Sequence, residues 1–162
     1  MRAAPISLTN YFVSNLEFKT NQAFDPEKAS VIEIDDLELE NEAKPRIENR
    51  RSWEVTLRIK LGDRPGRNLP CTIAIGIVGS VDVDQSVKEE NIERWVQING
   101  TSLVFSVARE IVRAITSRGP NKSILLPTVT FWRPKPEAPS IVEKTEITGT
   151  DKPTENAPAV AK

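Results

Sequence analysis

Acidic side chains are the residues of this chain whose type and spacing come nearest to a catalytic or metal-binding pattern. They form two groups: Asp35, Asp36, Glu38 and Glu40 in one, Asp82 and Asp84 in the other. General acid–base chemistry needs two carboxylates opposed across a pocket. The first group lies on a predicted strand, where successive side chains alternate between the two faces of the sheet. The second group lacks the full spacing of a calcium loop. We therefore interpret both groups as solvated carboxylates.

The residues that usually supply a nucleophile or a general base are almost absent. The chain of 162 residues has no histidine and a single cysteine, which excludes Ser-His and Cys-His arrangements and an internal disulfide. Cys71 shares the parity of the apolar residues around it, as a buried and inert thiol would. There is no phosphate-binding Walker sequence and no glycine-rich turn between a strand and a helix. The sequence predicts a protein that is not an enzyme and uses no cofactor and no metal.

Basic residues cluster at Arg46, Arg50 and Arg51, and again at Arg64 and Arg67 in the next connection. Such a cluster can contact phosphates, and a nucleic-acid-binding or structural subunit using these arginines is the alternative function. Glu42 and Glu48 interleave with them, however, and the net charge of the chain is −1. Because affinity for nucleic acid rises with the number of neutralised phosphates, solubility is the better explanation of this cluster.

The apolar content argues against a membrane protein. No apolar run approaches the roughly 20 residues that a membrane helix requires, and the opening MRAAPISLTN lacks the apolar core of a secretory signal. We expect a cytoplasmic protein without membrane insertion.

The elements that position these residues are predicted from hydrophobic periodicity. Strict alternation of apolar and polar residues marks the clearest strand, at Ser52–Leu61. Three further strands are predicted at Ile6–Lys19, Val31–Glu40 and Leu69–Val78, and the charged stretch Asn41–Arg51 is predicted to be a connection. The eleven-residue loop after the first strand leaves it free to pair elsewhere than with the second.

Helices follow the strands. A short helix is predicted from Ser86 to a break at Asn99-Gly100, and a long one from Thr101 to Arg118, ended by Gly119-Pro120. The long helix is apolar over most of its circumference. One face should therefore lie on a sheet while a second meets another helix or another subunit. An extended segment, Ser123–Phe131, completes the unit.

The predicted fold class is α+β, a four-stranded antiparallel sheet followed by a short and a long helix. We expect one domain over residues 1–132. Residues 133–162 contain five prolines and few large apolar side chains. They cannot bury enough surface to offset the entropy of ordering, so this stretch is predicted to be a flexible tail.

The sequence also carries more apolar surface than one small core absorbs. Phe24 stands in a polar loop, and Trp95 adds a large contact area near the short helix. Exposed apolar groups rimmed by polar ones indicate an interaction site. An equally weighted alternative is that Phe24 folds back onto its own sheet as a loop anchor.

The run NGTSLVFSVAREIVRAITSRGPNKSILLPTVTF, residues 99–131, resembles the signature region of the SecB export-chaperone family. The matching features are Ala108-Arg109-Glu110 at the helix centre, Ser117-Arg118-Gly119 at its end, and the following Leu-x-Pro-x-x-Phe-like segment. Weaker similarity extends over Ile6 to Trp132, so the resemblance implies a SecB-like fold.

The resemblance also implies an activity and a set of partners. Members bind unfolded polypeptide clients without ATP, in long apolar grooves, and assemble as a dimer of dimers. The positions that match groove residues are Phe24, Ile32 and Ile34, with Trp95 as a looser candidate. The client would be a preprotein, or an antitoxin in the relatives that protect one.

The interface expected for such an assembly is the long helix. Arg109, Glu110 and Arg113 form the one polar stripe of this helix and are expected at or beside the interface between subunits. Its apolar part is expected to be filled by Phe105, Val112 and Ile115.

One departure from the family concerns the SecA-type translocase motor, which docks on an acidic face of the sheet. The fourth-strand position where the family carries an acid matches Thr72 here, and Ala74 and Ile75 occupy neighbouring positions that are polar in the family. This difference favours a SecB-like chaperone with a dedicated client over one that serves the export motor.

Overall fold

The computed structural model describes residues 4–62, 64–121 and 123–132, and in them an antiparallel sheet carries one helical layer on a single face. The strands are β1 (Ile6–Thr20), β2 (Leu37–Arg46), β3 (Asn49–Leu61) and β4 (Cys71–Val83). A 3₁₀ turn at Glu89–Asn91 leads into α1 (Ile92–Trp95), a π-helical turn (Val96–Gly100) and α2 (Thr101–Thr116). Two further 3₁₀ turns, Pro26–Lys28 and Ile34–Asp36, lie between β1 and β2. The predicted α+β class is confirmed.

The order of the strands in the sheet is β1-β4-β3-β2. β2, β3 and β4 are neighbours in sequence and in space, whereas β1 pairs with β4 from Ile6 opposite Val83 to Thr20 opposite Cys71. β1 and β2 therefore occupy opposite edges. The chain between them, residues 21–36, has to cross the end of the sheet, and we call it the crossover loop.

The core lies between the sheet and α2. Alternation in β3 buries Val55, Leu57, Ile59 and Leu61 on one face, as the sequence predicts. β4 adds Ile73, Ile75 and Ile77 to the same face. Burying one such side chain stabilises the fold by about 1.5–3 kcal/mol, so the two central strands hold most of the apolar layer beneath the helix.

α2 meets this layer along a face repeating at three and four residues. Its buried apolar members are Val104, Phe105, Ala108 and Val112. The helix comes closest to the sheet at Gly79, where an added Cβ would lie 2.6 Å from Val104 Cγ2 and 2.9 Å from Leu8 Cδ1. A glycine is required here because the side chains of Val104 and Leu8 fill the space over β4 that a Cβ would occupy.

The segment after α2 turns back and runs antiparallel to the helix. Ile124 and Leu126 are buried, and the rings of Phe131 and Phe105 meet edge to face with their centroids 5.7 Å apart. Ile124 donates its backbone N–H to Thr116 Oγ1 at 2.9 Å. The extended segment predicted at Ser123–Phe131 thus covers the helix, and it does not join the sheet as a strand.

The prediction for the second strand is wrong in position, although its length of ten residues is right. Val31–Glu33 is not a strand, and Ile34–Asp36 is a 3₁₀ turn that Asp36 stabilises by accepting the N–H of Glu33 at 2.9 Å. The strand begins at Leu37 and continues to Arg46, through the stretch predicted to be a connection. Pro45 is tolerated because β2 is an edge strand, whose outer side needs no ladder hydrogen bonds.

The predicted helix break at Asn99-Gly100 is also wrong. The chain passes from α1 through the π-helical turn into α2 without leaving helical conformation. Gly100 is buried, and a Cβ there would lie 3.3 Å from Val96 and 3.4 Å from Val55, so it serves close packing. Ser86 does not open a helix, because Asp84 Oδ1 accepts its N–H in a turn that follows an unexpectedly long β4.

The predicted tail, residues 133–162, lies outside the described residues. In the part of the chain that the structure describes, no helix is both long enough and apolar enough to cross a membrane.

The contact at Gly79 gives a stability prediction. Gly79→Ala should lower the free energy of unfolding by about 1–3 kcal/mol, because Val104 is fully buried and β-branched and cannot move aside cheaply. Gly62→Ala is the control, since nothing lies within 4 Å of a Cβ at that position. Urea unfolding measures both variants. Equal midpoints for the two would contradict the close approach of α2.

Candidate functional site

An apolar groove of about 490 Å³ opens where the crossover loop passes the end of the sheet. We call it the crossover groove. One wall is the crossover loop, the other is the chain after α2, and Pro70 lies between them. Its lining residues are Phe24, Pro26, Ala29, Ser30, Val31, Ile32, Pro70, Pro120, Asn121, Ser123, Ile124 and Leu125.

Asn68, just before β4, holds the first wall. Its side chain accepts the N–H of Asp25 at 3.2 Å and donates to the Asp25 carbonyl at 2.6 Å. Its backbone carbonyl accepts the N–H of Ser30, and its N–H donates to Ser30 Oγ, both at 3.0 Å. Four hydrogen bonds from one residue thus fix both ends of the short 3₁₀ turn at Pro26–Lys28.

A second anchor, an ion pair, holds the far end of the crossover loop. Arg67 donates to the carboxylate of Asp36 and to the carbonyl of Val31. Asp36 is 3% exposed, and its pKa is held below the ordinary range, first because the Glu33 N–H donates to it and then because of the Arg67 guanidinium. Burial acts in the opposite direction but does not prevail. The carboxylate is therefore charged at neutral pH and fixes Val31 at the rim of the groove.

The second wall depends on the end of α2. Thr116 is buried, donates its hydroxyl to the Val112 carbonyl at 2.8 Å, and accepts the N–H of Ile124. This arrangement places Ile124 in the core and leaves its neighbour Leu125 outside it. Leu125 is 56% exposed, and Val31 on the opposite wall is 78% exposed.

The groove has no charged side chain among its lining residues in the described ranges. Its polar atoms come from Ser30, Asn121, Ser123 and the backbone. An uncharged concave surface with exposed aliphatic residues on its rim can bind apolar side chains, and does so without directional demands on their order.

Two of the four predicted client-binding residues meet in this groove. Phe24 and Ile32 both line it and are both half-buried, so each also packs against the protein's own surface. Ile34 is half exposed in the 3₁₀ turn and Trp95 is 36% exposed in α1. Neither of these two lies in the groove.

Sequence reasoning missed the other large aliphatic residues of the groove, Val31, Ile124 and Leu125. Val31 is adjacent to Ile32 and was assigned to a strand, where its exposure would be ordinary. Ile124-Leu125 belongs to a run of three aliphatics before Pro127. Side chains alternate between two sides in an extended segment, so a run of three aliphatic residues places its middle member opposite the other two. Ile124 and Leu126 are buried, and Leu125 between them faces outward.

The predicted interface residues occupy different places. Phe105 and Val112 lie in the chain's own core, 4% and 1% exposed. Arg109 Nε donates to the Leu126 carbonyl at 3.0 Å, so it fastens the covering segment to α2. Arg113 is exposed and pairs with Glu110 at 3.0 Å, and Ile115 is half-buried.

The interpretation of the acidic residues as solvated carboxylates is wrong for Asp36, which is 3% exposed because Arg67 and the Glu33 N–H bind it. Besides the buried Asp36, Glu38 pairs with Lys60 at 3.3 Å and Glu40 with Arg58 at 3.9 Å, on the exposed face of the sheet. Asp82 accepts the Ser52 hydroxyl at 2.7 Å. Among the described residues, no three His, Cys, Asp or Glu side chains are grouped so as to hold a metal ion.

Cys71 is buried, and burial raises the pKa of its thiol to about 11. The thiol is protonated at neutral pH and is therefore a poor nucleophile.

The arginine cluster is partly committed to the fold. Arg51 donates to the carbonyls of Asp84 and Val87 at 2.8 and 3.1 Å, and Arg46 donates to Ser80 Oγ at 2.7 Å. These bonds tie the β2–β3 hairpin to neighbouring elements. They explain the arginines without a nucleic acid, so this alternative gains no support from the geometry.

The fold can be compared with those of known proteins. It is an α+β unit with a sheet of order β1-β4-β3-β2, one long helix and a groove beside the crossover loop. No protein-family model matches the chain, and no curated protein matches its sequence. Among solved structures, the chain is similar to the Mycobacterium tuberculosis Rv1957 SecB-like chaperone in complex with a ChAD peptide from the Rv1956 HigA1 antitoxin.

That similarity has a TM-score of 0.51 at 14% sequence identity, and it covers 81% of this chain and 94% of that one. A protein of unknown function from Streptococcus agalactiae is also similar, with a TM-score of 0.49, 11% identity, and coverage of 78% and 100%. The chain therefore has a SecB-like fold, as the resemblance of residues 99–131 predicted.

The Asp36–Arg67 pair gives the second prediction. Asp36→Asn should lower the free energy of unfolding by about 1–3 kcal/mol at neutral pH, because Arg67 and the Glu33 N–H lose a charged acceptor. Asp35→Asn, an exposed neighbour in the same turn, is the control and should change little.

The same pair predicts a pH dependence. The pKa of Asp36 is lower in the folded than in the unfolded chain, so its stabilisation is complete well above the unfolded value of about 3.9 and is lost as pH falls through the folded pKa. The stability difference between wild type and Asp36→Asn should accordingly shrink below about pH 4. A difference that stays constant down to pH 2 would show that the charge of Asp36 is not used.

Proposed function

We propose that this protein is an ATP-independent, non-enzymatic chaperone that holds unfolded polypeptide clients in the crossover groove. The observation that carries the proposal is an uncharged apolar groove with exposed aliphatic residues on both rims, in a chain with a SecB-like fold. The similar solved structure is of a SecB-like chaperone in complex with an antitoxin peptide, which supports a polypeptide as the ligand class. We place this activity in the cytoplasm.

The groove chemistry supports loosely specified clients. Apolar contact is non-directional, and the described lining residues offer a few neutral polar atoms and no charged side chain to select a charged partner. Clients should therefore be extended segments with aliphatic or aromatic side chains. A preprotein awaiting export and a dedicated antitoxin both fit this description.

The open face of the sheet favours the dedicated client. The acidic residues there pair with basic neighbours, Glu38 with Lys60 and Glu40 with Arg58. At the fourth-strand positions that match the motor-docking residues of the family, Thr72 is half-buried and Ile75 is 2% exposed in the core. With Glu38 and Glu40 paired and Thr72 at the family's acidic position, these residues give no support to docking of a SecA-type motor.

The function is tested by aggregation of an unfolded preprotein or antitoxin, followed by light scattering without nucleotide. The full chain should suppress aggregation near stoichiometric ratio, since a holdase acts by binding and does not turn over. Absence of suppression at a several-fold excess of the chain would overturn the proposal.

The rim of the groove gives the third prediction. Val31→Asp combined with Leu125→Asp should weaken binding of an apolar client peptide at least tenfold, because about 1.4 kcal/mol suffices for that factor. Both side chains are mostly exposed, so the thermal midpoint should change little. This pair is a cleaner test than Phe24 and Ile32, whose half-burial would mix binding with stability. Fluorescence anisotropy of a labelled peptide measures the dissociation constant.

Ile47→Asp is the matched control for these variants. Ile47 is fully exposed at the tip of the β2–β3 hairpin and does not line the groove. Equal weakening by Ile47→Asp would mean that peptide binds to exposed apolar residues in general, and would contradict a specific groove.

We also propose that the chain assembles with copies of itself. Phe105 and Val112 are already used by the core, so the surface must come from the flank of α2, where Leu103, Val107 and Ile111 are half-buried. The neighbouring strand β1 exposes an apolar row on the same, helix-bearing side of the sheet. Its members are Tyr11 (47% exposed), Val13 (39%) and Leu16 (42%). Arg109, Arg113 and Ile115 stay predicted neighbours of this surface in a dimer of dimers.

The assembly gives the fourth prediction. Val13→Asp with Leu16→Asp should convert tetramers into dimers or monomers, since each aspartate would carry an unpaired charge into an apolar interface. Phe12→Asp is the control, because Phe12 is 58% exposed on the opposite face of the same strand. Light scattering coupled to gel filtration gives the mass. Dissociation by Phe12→Asp alone would place the interface on the other face.

A further inference from the structure

Residues 133–162, which lie outside the described part of the chain, contain one short stretch unlike the rest. The stretch Ser140–Thr148, SIVEKTEIT, has neither proline nor glycine, whereas Pro139 precedes it and Gly149 follows it. Three of the four large aliphatic residues after position 132 lie in it: Ile141, Val142 and Ile147. β-branched residues of this kind favour extended backbone. We call this stretch the tail segment.

The tail segment matches the crossover groove in chemistry. The groove has an uncharged lining and exposed aliphatic rims at Val31 and Leu125. Ser140-Ile141-Val142 is uncharged and aliphatic, and the charges begin only at Glu143. An extended chain sends Ile141 and Val142 to opposite sides, so one enters the groove while the other meets a rim.

The tail segment can also reach the groove. Leu125, on the groove wall, precedes Trp132 by seven residues, which span at most about 25 Å when extended. The nine residues from Trp132 to Ile141 can span about 30 Å. Even a fully outstretched covering segment therefore leaves enough chain for Ile141 to return to Leu125.

From these observations we propose that the tail segment, Ser140–Thr148, binds in the crossover groove of its own chain and competes with clients for it. Only the competition with clients rests on the proposed function, because docking of the segment is a property of the free protein. Attachment through a short linker gives the segment an effective concentration on the order of millimolar. An affinity too weak to matter between separate molecules thus suffices to occupy the groove, and a client has to displace the segment.

Docking is tested by photo-crosslinking in the full chain without any client. Benzoylphenylalanine in place of Val31 should crosslink to residues 140–148, identified by mass spectrometry, with a yield that does not change on dilution. Ile141→Asp with Val142→Asp should abolish this product. Benzoylphenylalanine in place of Ile47, which is exposed away from the groove, is the control and should not give it. Products mapping elsewhere, or a yield that falls with dilution as for a neighbouring copy's tail, would overturn the proposal.

Competition is tested by client binding to the same full-length variants. Ile141→Asp with Val142→Asp should lower the dissociation constant of a labelled apolar peptide at least threefold. Val160→Asp, which changes the remaining large aliphatic residue of the tail in the same way, should leave it unchanged. An unchanged constant in the double variant would overturn the competitive role. A chain that binds no peptide in any variant would overturn the proposed function, while the crosslinking result would still decide whether the segment docks.

Discussion

The structure depends on one constraint of topology: β1 and β2 lie on opposite edges of the sheet, so the chain must cross its end. A crossing segment cannot use the ladder hydrogen bonds of the sheet, and its buried polar groups need other partners. Asn68 and Arg67 supply them, from the connection that precedes β4. The connection between the central strands β3 and β4 therefore fixes the crossover loop in place at the end of the sheet.

The crossover groove is a consequence of that arrangement. The crossover loop is held by its backbone, through bonds to Asp25, Ser30 and Val31. Val31 is left largely in solvent, whereas Phe24 and Ile32 are half-buried against the protein. On the opposite wall, Thr116 and Arg109 likewise hold the covering segment by its backbone N–H and carbonyl groups. Hydrogen bonds therefore hold both walls of the groove in place, and apolar side chains of both walls face outward.

The sequence predicted the layers better than their edges. Strict alternation predicted β3, and the apolar long helix predicted α2, because burial on one side leaves an unmistakable period. β2 was misplaced because an edge strand carries charges on its open side and tolerates Pro45, which together imitate a loop. The continuous helix through Gly100 was missed because a glycine needed for close packing is indistinguishable in sequence from one that ends a helix.

The candidate site was predicted in half. Phe24 and Ile32 were found through a family resemblance and an isolated aromatic residue, and both line the groove. Val31 and Leu125 were not found, because exposure of an aliphatic residue depends on which neighbour the backbone turns inward. Phe105 and Val112 were assigned to an interface because an all-apolar helix does not reveal which of its faces the sheet will take.

The open side of β2 has a consequence for contact between this protein and other extended chains. Within the described residues, this edge of the sheet pairs with no further strand, and unpaired backbone groups are a template on which another extended chain can grow. Four charged residues occupy exposed positions along that strand: Glu38, Glu40, Glu42 and Lys44. Pro45 has no backbone N–H to donate to an added strand. Such a strand resists the addition of strands from other chains, so this edge of the sheet is protected against growth into a fibre.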